Sequence, residues 1–332
     1  MLSTKQCTDI LGEGRVSEII RKFKNKGINQ DTIDRVLDYL ACNQKVFPFL
    51  DNKLLEDRLV NNLQTSIIYD TMLQRAISTF KKTKNVGEAI RKAVKVHGTV
   101  DGNSIRIAKE KSFSFGMAAN RRLDHIIRHE LDHIATTSYT NSLTRSAFEQ
   151  YLIRNFELSK ELFKNPRQPD FSPSKVDDLY QKYGDKVRKK SGIVGVYDSN
   201  LQLGSHALNE GITEYKIKKL DKFANDGIIG YKSGYKINEK VAKYMAGEIG
   251  EEKFLNMQLN HDFVGITKSF MNATGKDEQY MGDFYKNLDI ETGVEPVPVW
   301  EKLTRRFQNA LNINVDKNNA LIQEIKHQVE LD

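Results

Sequence analysis

The chain has 332 residues, 39% hydrophobic and 29% charged, and 51 Lys and Arg against 44 Asp and Glu give it a formal net charge of +7. That length supports a large core and two or three subdomains, and the composition is that of a soluble globular chain, not a fibrous or disordered one. Two cysteines, Cys7 and Cys42, without metal spacing do not indicate a disulfide framework and point to a reducing compartment. No stretch approaches the ~18 apolar residues of a membrane span. The opening MLSTKQCTDILGEGRVSEII lacks the basic and then apolar pattern of a secretory leader, so a cytoplasmic location is expected, with leaderless secretion an equal match to the sequence. The positive charge is spread over residues 21–24, 186–190 and 216–222, which read as solvated helix faces, and no nucleic-acid motif accompanies it.

Residues 1 to about 95 read as helical, with helix-period apolar residues over 16–24, 31–42 and 53–81 and with Asp31 as an N-cap after the break at Gly27. The character changes at 94. KVHGTV, the turn Asp101-Gly102-Asn103 and SIRIA predict a hairpin, and Ser112 to Met117 alternates as a further strand.

The next stretch, LDHIIRHELDHIA, contains His129-Glu130-Leu131-Asp132-His133, an H-E-x-x-H motif. Histidines four apart lie one above the other on a helix, close enough for both imidazoles to reach one zinc ion. Glu130 is then placed to act as general base on a water at the metal. At ~100° per residue, Leu123, Ile126, Ile127, Leu131 and Ile134 form an apolar arc that includes Glu130, with His129 and His133 along its edge. A carboxylate on a buried face is costly without compensation, which a metal site supplies. Asp124, Arg128 and Asp132 point the other way and are expected at the surface, and His125 at the surface or behind the ligands.

Residues 141–163 and 174–190 read as helices separated by a proline-rich loop, followed by a loop or short strand over 192–197. LNEGITEY then places Glu210 and Glu214 four apart, on one helix face. Gly211 between them costs about 1 kcal/mol in a helix interior, understandable if another backbone packs close there. A glycine-rich connector over 225–235 precedes a helical pattern from Ile237 to the end, broken near 293–298.

With H-E-x-x-H, LNEGITEY resembles the two zinc helices of gluzincin metallopeptidases, the broad thermolysin-like group, and also uncharacterised bacterial H-E-x-x-H proteins that carry an NEGxTE helix. The resemblance covers the two helices and their approaches. It departs from thermolysin in the 77 positions that separate Glu210 from His133. It implies Glu210 as third zinc ligand and Glu214 as the carboxylate that orients a zinc histidine. It further implies an edge strand that pairs with peptide substrate, with Phe115, Gly116 and Met117 as the contacts, and an oxyanion donor. Tyr197 is preferred for that donor over Tyr231, Tyr235 and His261.

The expected fold class is α+β, mostly helical: a zincin-like catalytic core over 94–225 with a small sheet, two zinc-ligand helices and a helical insertion at about 140–190, flanked by helical regions 1–93 and 226–332. The expected function is zinc-dependent hydrolysis of peptide bonds in a peptide or protein substrate, with no membrane partner. Two other classes fit the same features: a non-catalytic or regulatory zinc-site protein, and a basic module that binds nucleic acid or a protein partner.

Overall fold

The computed structural model describes residues 1–87, 98–101, 104–108, 116–140, 188–198, 201–203, 205–224 and 236–277, with single positions between 174 and 181 and between 280 and 288. The expected helix over 141–163, the proline-rich loop, residues 112–115, the glycine-rich connector and its Tyr231 and Tyr235, and the break at 293–298 lie outside them. Among the described residues the structure is mostly helical with two small sheets, and the chain divides into two compact units, Met1–Thr137 with Lys216–Lys232, and Ser138–Tyr215 with Ser233–Asp332. Among the described residues, no helix is long and apolar enough to cross a membrane.

The first unit starts with four helices, α1 (Thr4–Leu11), α2 (Glu13–Lys24), α3 (Gln30–Val46) and α4 (Asn52–Asn62). Side chains that satisfy free backbone N–H groups set the starts of α1, α3 and α4. Ser3 and Gln6 cap α1 reciprocally, and Asp51 Oδ1 accepts from Leu54 N at 2.8 Å for α4. For α3 the cap is Asn29, whose Oδ1 accepts from Thr32 N at 2.9 Å. Asp31, expected in that role, lies in the first turn instead.

The pattern over 53–81 is not one helix. After α4 comes strand β1 (Ile68–Asp70) and then α5 (Met72–Thr83). Ile67, Ile68 and Tyr69 are β-branched or aromatic and favour extended backbone, and Thr71 with Gln74 builds a fresh capping box for α5. The expected hairpin is present as β2 (Gly98–Asp101) and β3 (Ser104–Ala108). β1 pairs parallel with β3, giving the order β1-β3-β2, and a two-pronged Arg106–Asp70 ion pair at 2.6 and 2.9 Å ties β3 to β1.

The motif helix, α6 (Gly116–Ala135), packs on α3, α4, β2 and β3. Gly116 and Met117 therefore open a helix and do not close a strand, which removes the strand-pairing basis for substrate contact at these two positions. Ile33, Leu37, Leu40, Leu55 and Leu59 are buried together with Ile127, Leu131 and Ile134. The end of α6 is held by Asn62, whose Nδ2 donates to the carbonyls of Ile134 at 3.3 Å and Thr137 at 2.8 Å. Helix α7 (His206–Phe223) gives its residues from Lys216 onward to this unit.

In the second unit, β4 (Thr137–Thr140), β5 (Arg188–Ser191), β6 (Val194–Asp198) and β7 (Leu201–Leu203) form a sheet in chain order. Residues 188–190, expected to end a basic helix, are thus in a strand, where Lys190 pairs with Gly195 across a tight turn at Gly192. Helices α8 (Lys236–Ile249), α9 (Glu251–Leu259) and α10 (Phe263–Thr274) follow, with Phe254, Leu255, Ile266 and Phe270 buried.

Asn62→Ala should lower stability by about 1–2 kcal/mol by leaving buried carbonyls unmet, measured by urea unfolding. The Cys7 thiol is pushed up to about 12 by burial and then by Asp38, and burial raises Cys42 further. Both thiols should resist a disulfide reagent at pH 8 and react only as the chain unfolds.

Candidate metal centre

Helix α6 carries charge on the side that the sequence pattern assigns to solvent. Arg128 is 1% exposed and Asp132 0%, because both face other elements of the first unit. The Arg128 guanidinium donates to Asp38 of α3 at 2.8 and 3.1 Å and to Asp221 of α7 at 2.6 Å. Asp132 Oδ1 accepts from Tyr39 OH at 2.7 Å and Lys216 Nζ at 2.5 Å. His125, also buried, meets Asp221 through Nδ1 at 2.6 Å. Asp124, expected at the surface, pairs with Arg35 at 2.7 Å and with the chain's amino terminus at 3.1 Å. Lys216 likewise departs from the solvated face expected for 216–222, being 1% exposed.

These buried charges are matched. Burial works against the Arg128 charge, but Asp38 and then Asp221 outweigh it and hold the guanidinium above its ordinary range. Burial and then the neighbouring Asp132 charge keep the Tyr39 phenol protonated.

Partner numbers fall along α7 as they rise along α6: His125 and Arg128 meet Asp221, and Asp132 meets Lys216. The helices therefore run antiparallel here. At 3.6 residues per turn, Glu210, Glu214, Ile217 and Asp221 fall on one stripe of α7. Glu210 lies six residues before Lys216, about 9 Å along the helix. The ligand atoms of His129, His133 and Glu210 lie within 4.8 Å of one another, a group able to hold a metal ion.

The donor set suits zinc. Two imidazoles and a carboxylate leave a fourth position for water or substrate. His129 Nε2 and His133 Nε2 are 3.1 Å apart, close to the ~3.3 Å edge that two Zn–N bonds of about 2.05 Å span at a tetrahedral angle.

The residues beside Glu210 fix its backbone. Asn209 Oδ1 accepts from Ile193 N at 3.1 Å, next to Gly192, whose φ of +51° favours glycine. Gly211 abuts the backbone carbonyl of Asn238, whose side chain donates to Ala207 O at 2.9 Å. That is the close backbone approach its position in a helix implied. Glu214 is 1% exposed.

Glu130 is 8% exposed and lies against β2. A Cβ on Gly98 would stand 2.5 Å from Glu130 Oε1 and 2.8 Å from Ile126 Cγ2, so the strand passes over the motif only because residue 98 has no side chain. Tyr197 lies on β6. His261, at a left-handed φ of +61°, meets Ser138 Oγ through Nε2 and Gly192 O through Nδ1, each at 2.6 Å. Phe115 lies outside the described residues.

The sequence reading missed Asp38, Tyr39, Lys216, Asp221 and Gly98. Asp38 left a trace, a single carboxylate inside the apolar run Val36-Leu37-Asp38-Tyr39-Leu40. Lys216 and Asp221 carried none, since they look like any charged residue of a surface helix.

Gly98→Ala should destabilise by about 1–3 kcal/mol through overpacking. Gly14→Ala, where a Cβ on α2 meets nothing within 4 Å, should stabilise by about 0.5–1 kcal/mol. Chemical denaturation of both variants compares them. No family model matches the chain, and no similar curated protein or solved structure was found for it.

Proposed function

We propose that the protein is a zinc-dependent peptidase built on a gluzincin-like core, with His129, His133 and Glu210 as metal ligands. The observation that carries this reading is the convergence of those three donors beside Glu130, on the helix that supplies two of them. A zinc ion bound there would polarise a substrate carbonyl and acidify a water at its open position.

Glu130 follows His129 directly, and its carboxylate is shielded between α6 and β2. It takes the proton of the attacking water and passes it to the leaving amine. Glu214, one turn beyond Glu210 on the same stripe, holds the ring of a zinc histidine in its ligating tautomer. Among the described residues β2 pairs with β3 alone, and it crosses Glu130 at Gly98. Its other edge offers backbone groups to an extended peptide, a role expected from the sequence for 115–117 and better suited to 98–101. Tyr197 is the proposed oxyanion donor. His261 is less suited, since both its ring nitrogens already have partners.

The purified chain should carry about one zinc and cleave a generic peptide mixture. Glu130→Gln should retain the zinc and abolish cleavage, and unchanged cleavage would rule out the mechanism. Glu210→Gln should weaken zinc binding more than Glu214→Gln does. The opposite order in a chelator competition would mean that the two carboxylates exchange roles.

A further inference from the structure

We infer that the two buried ion pairs between α6 and α7, Asp132–Lys216 and Arg128–Asp221, are positioning groups that set the register in which α7 presents Glu210 to the histidines. This rests on the metal centre proposed above.

The pairs have opposite polarity. A carboxylate on α6 meets a cation on α7, and four residues earlier on α6 a cation meets a carboxylate five residues later on α7. The four side chains are nearly or wholly buried. Helix α3 holds the α6 member of each pair, Tyr39 bonding Asp132 and Asp38 bonding Arg128. The α6 half of the device is thus fixed independently of α7.

Sliding α7 by one turn is the natural error at a helix interface, because apolar ridges repeat at that interval. Here the slide is blocked. Four residues either side of Lys216 stand Ile212 and Leu220, and four before Asp221 stands Ile217, all fully buried. A one-turn slip would set Asp132 against Ile212 or Leu220, and in one direction Arg128 against Ile217, leaving buried charges facing side chains with no polar atom. The same slip would carry Glu210 about 5.4 Å along the axis, further than the 4.8 Å that spans the three ligand atoms. Buried ion pairs are seldom the strongest stabilisers, and matched apolar replacements are often neutral or better. What these two supply is a single register.

The test uses the full chain and the double variant Asp132→Asn with Lys216→Met, which removes both charges and keeps an acceptor for the buried Tyr39 hydroxyl. Zinc affinity is read by chelator competition, thermal midpoint by circular dichroism, and helix α7 by hydrogen–deuterium exchange of residues 206–214. The double variant should keep a midpoint within a few degrees of wild type, bind zinc about 10–100-fold more weakly, and exchange faster over 206–214. Lys216→Arg, which keeps the charge, should bind zinc within about threefold of wild type. Wild-type zinc affinity and exchange in the double variant would overturn the inference, as would a folded Lys216→Arg that loses as much affinity as the double variant. If the double variant does not fold, Lys216→Gln, which keeps a donor to Asp132 without the charge, carries the same comparison. If the wild type binds no zinc, the metal centre fails as a reading, and the exchange comparison alone decides the register.

Discussion

A buried ion pair between a lysine and an aspartate, Lys216 and Asp132, connects two segments far apart in the sequence. His133 and Glu210 are separated by 77 positions. Chain connectivity over such a span does little to bring them together, since loop closure fixes only the ends and does so weakly. The helices that carry them are bonded to each other by their own residues, and the register inferred for α7 sets Glu210 among the donors with His129 and His133.

Two chains of buried polar partners surround this contact. Asp38, Arg128, Asp221 and His125 form one chain of partners, and Tyr39, Asp132 and Lys216 form another. Low local dielectric strengthens each bond and makes each unmet group expensive, so such a network tolerates little partial occupancy. Its members come from α3, α6 and α7, which makes the N-terminal helices part of the support of the motif and not an appendage to it.

Close backbone approach is the second device. Gly98 lets β2 cross Glu130, and Gly211 lets the start of α8 press on the turn beside Glu210. In both places a side chain is absent beside a carboxylate of the proposed site. The cost of glycine in a regular element is accepted at these two points because packing density there leaves no volume for a methyl group.

Local rules made much of this legible in the sequence. The H-E-x-x-H spacing, the Glu210–Glu214 pair, the 98–108 hairpin and most helices depend on residues within a few positions of one another, and helix and strand periods apply there directly. Boundaries set by competing local signals were harder: Asn29 took the cap from Asp31, and the run at 68–70 became a strand because β3 was present to pair with it. The surface assignment of Arg128, Asp132 and Lys216 was wrong for a different reason. Periodicity identifies an apolar face but assumes that a charged face meets water. Only the tertiary structure supplies the opposing charges, from α3 and α7, that let three ionised residues leave solvent, and no local pattern encodes a partner that is tens of residues away.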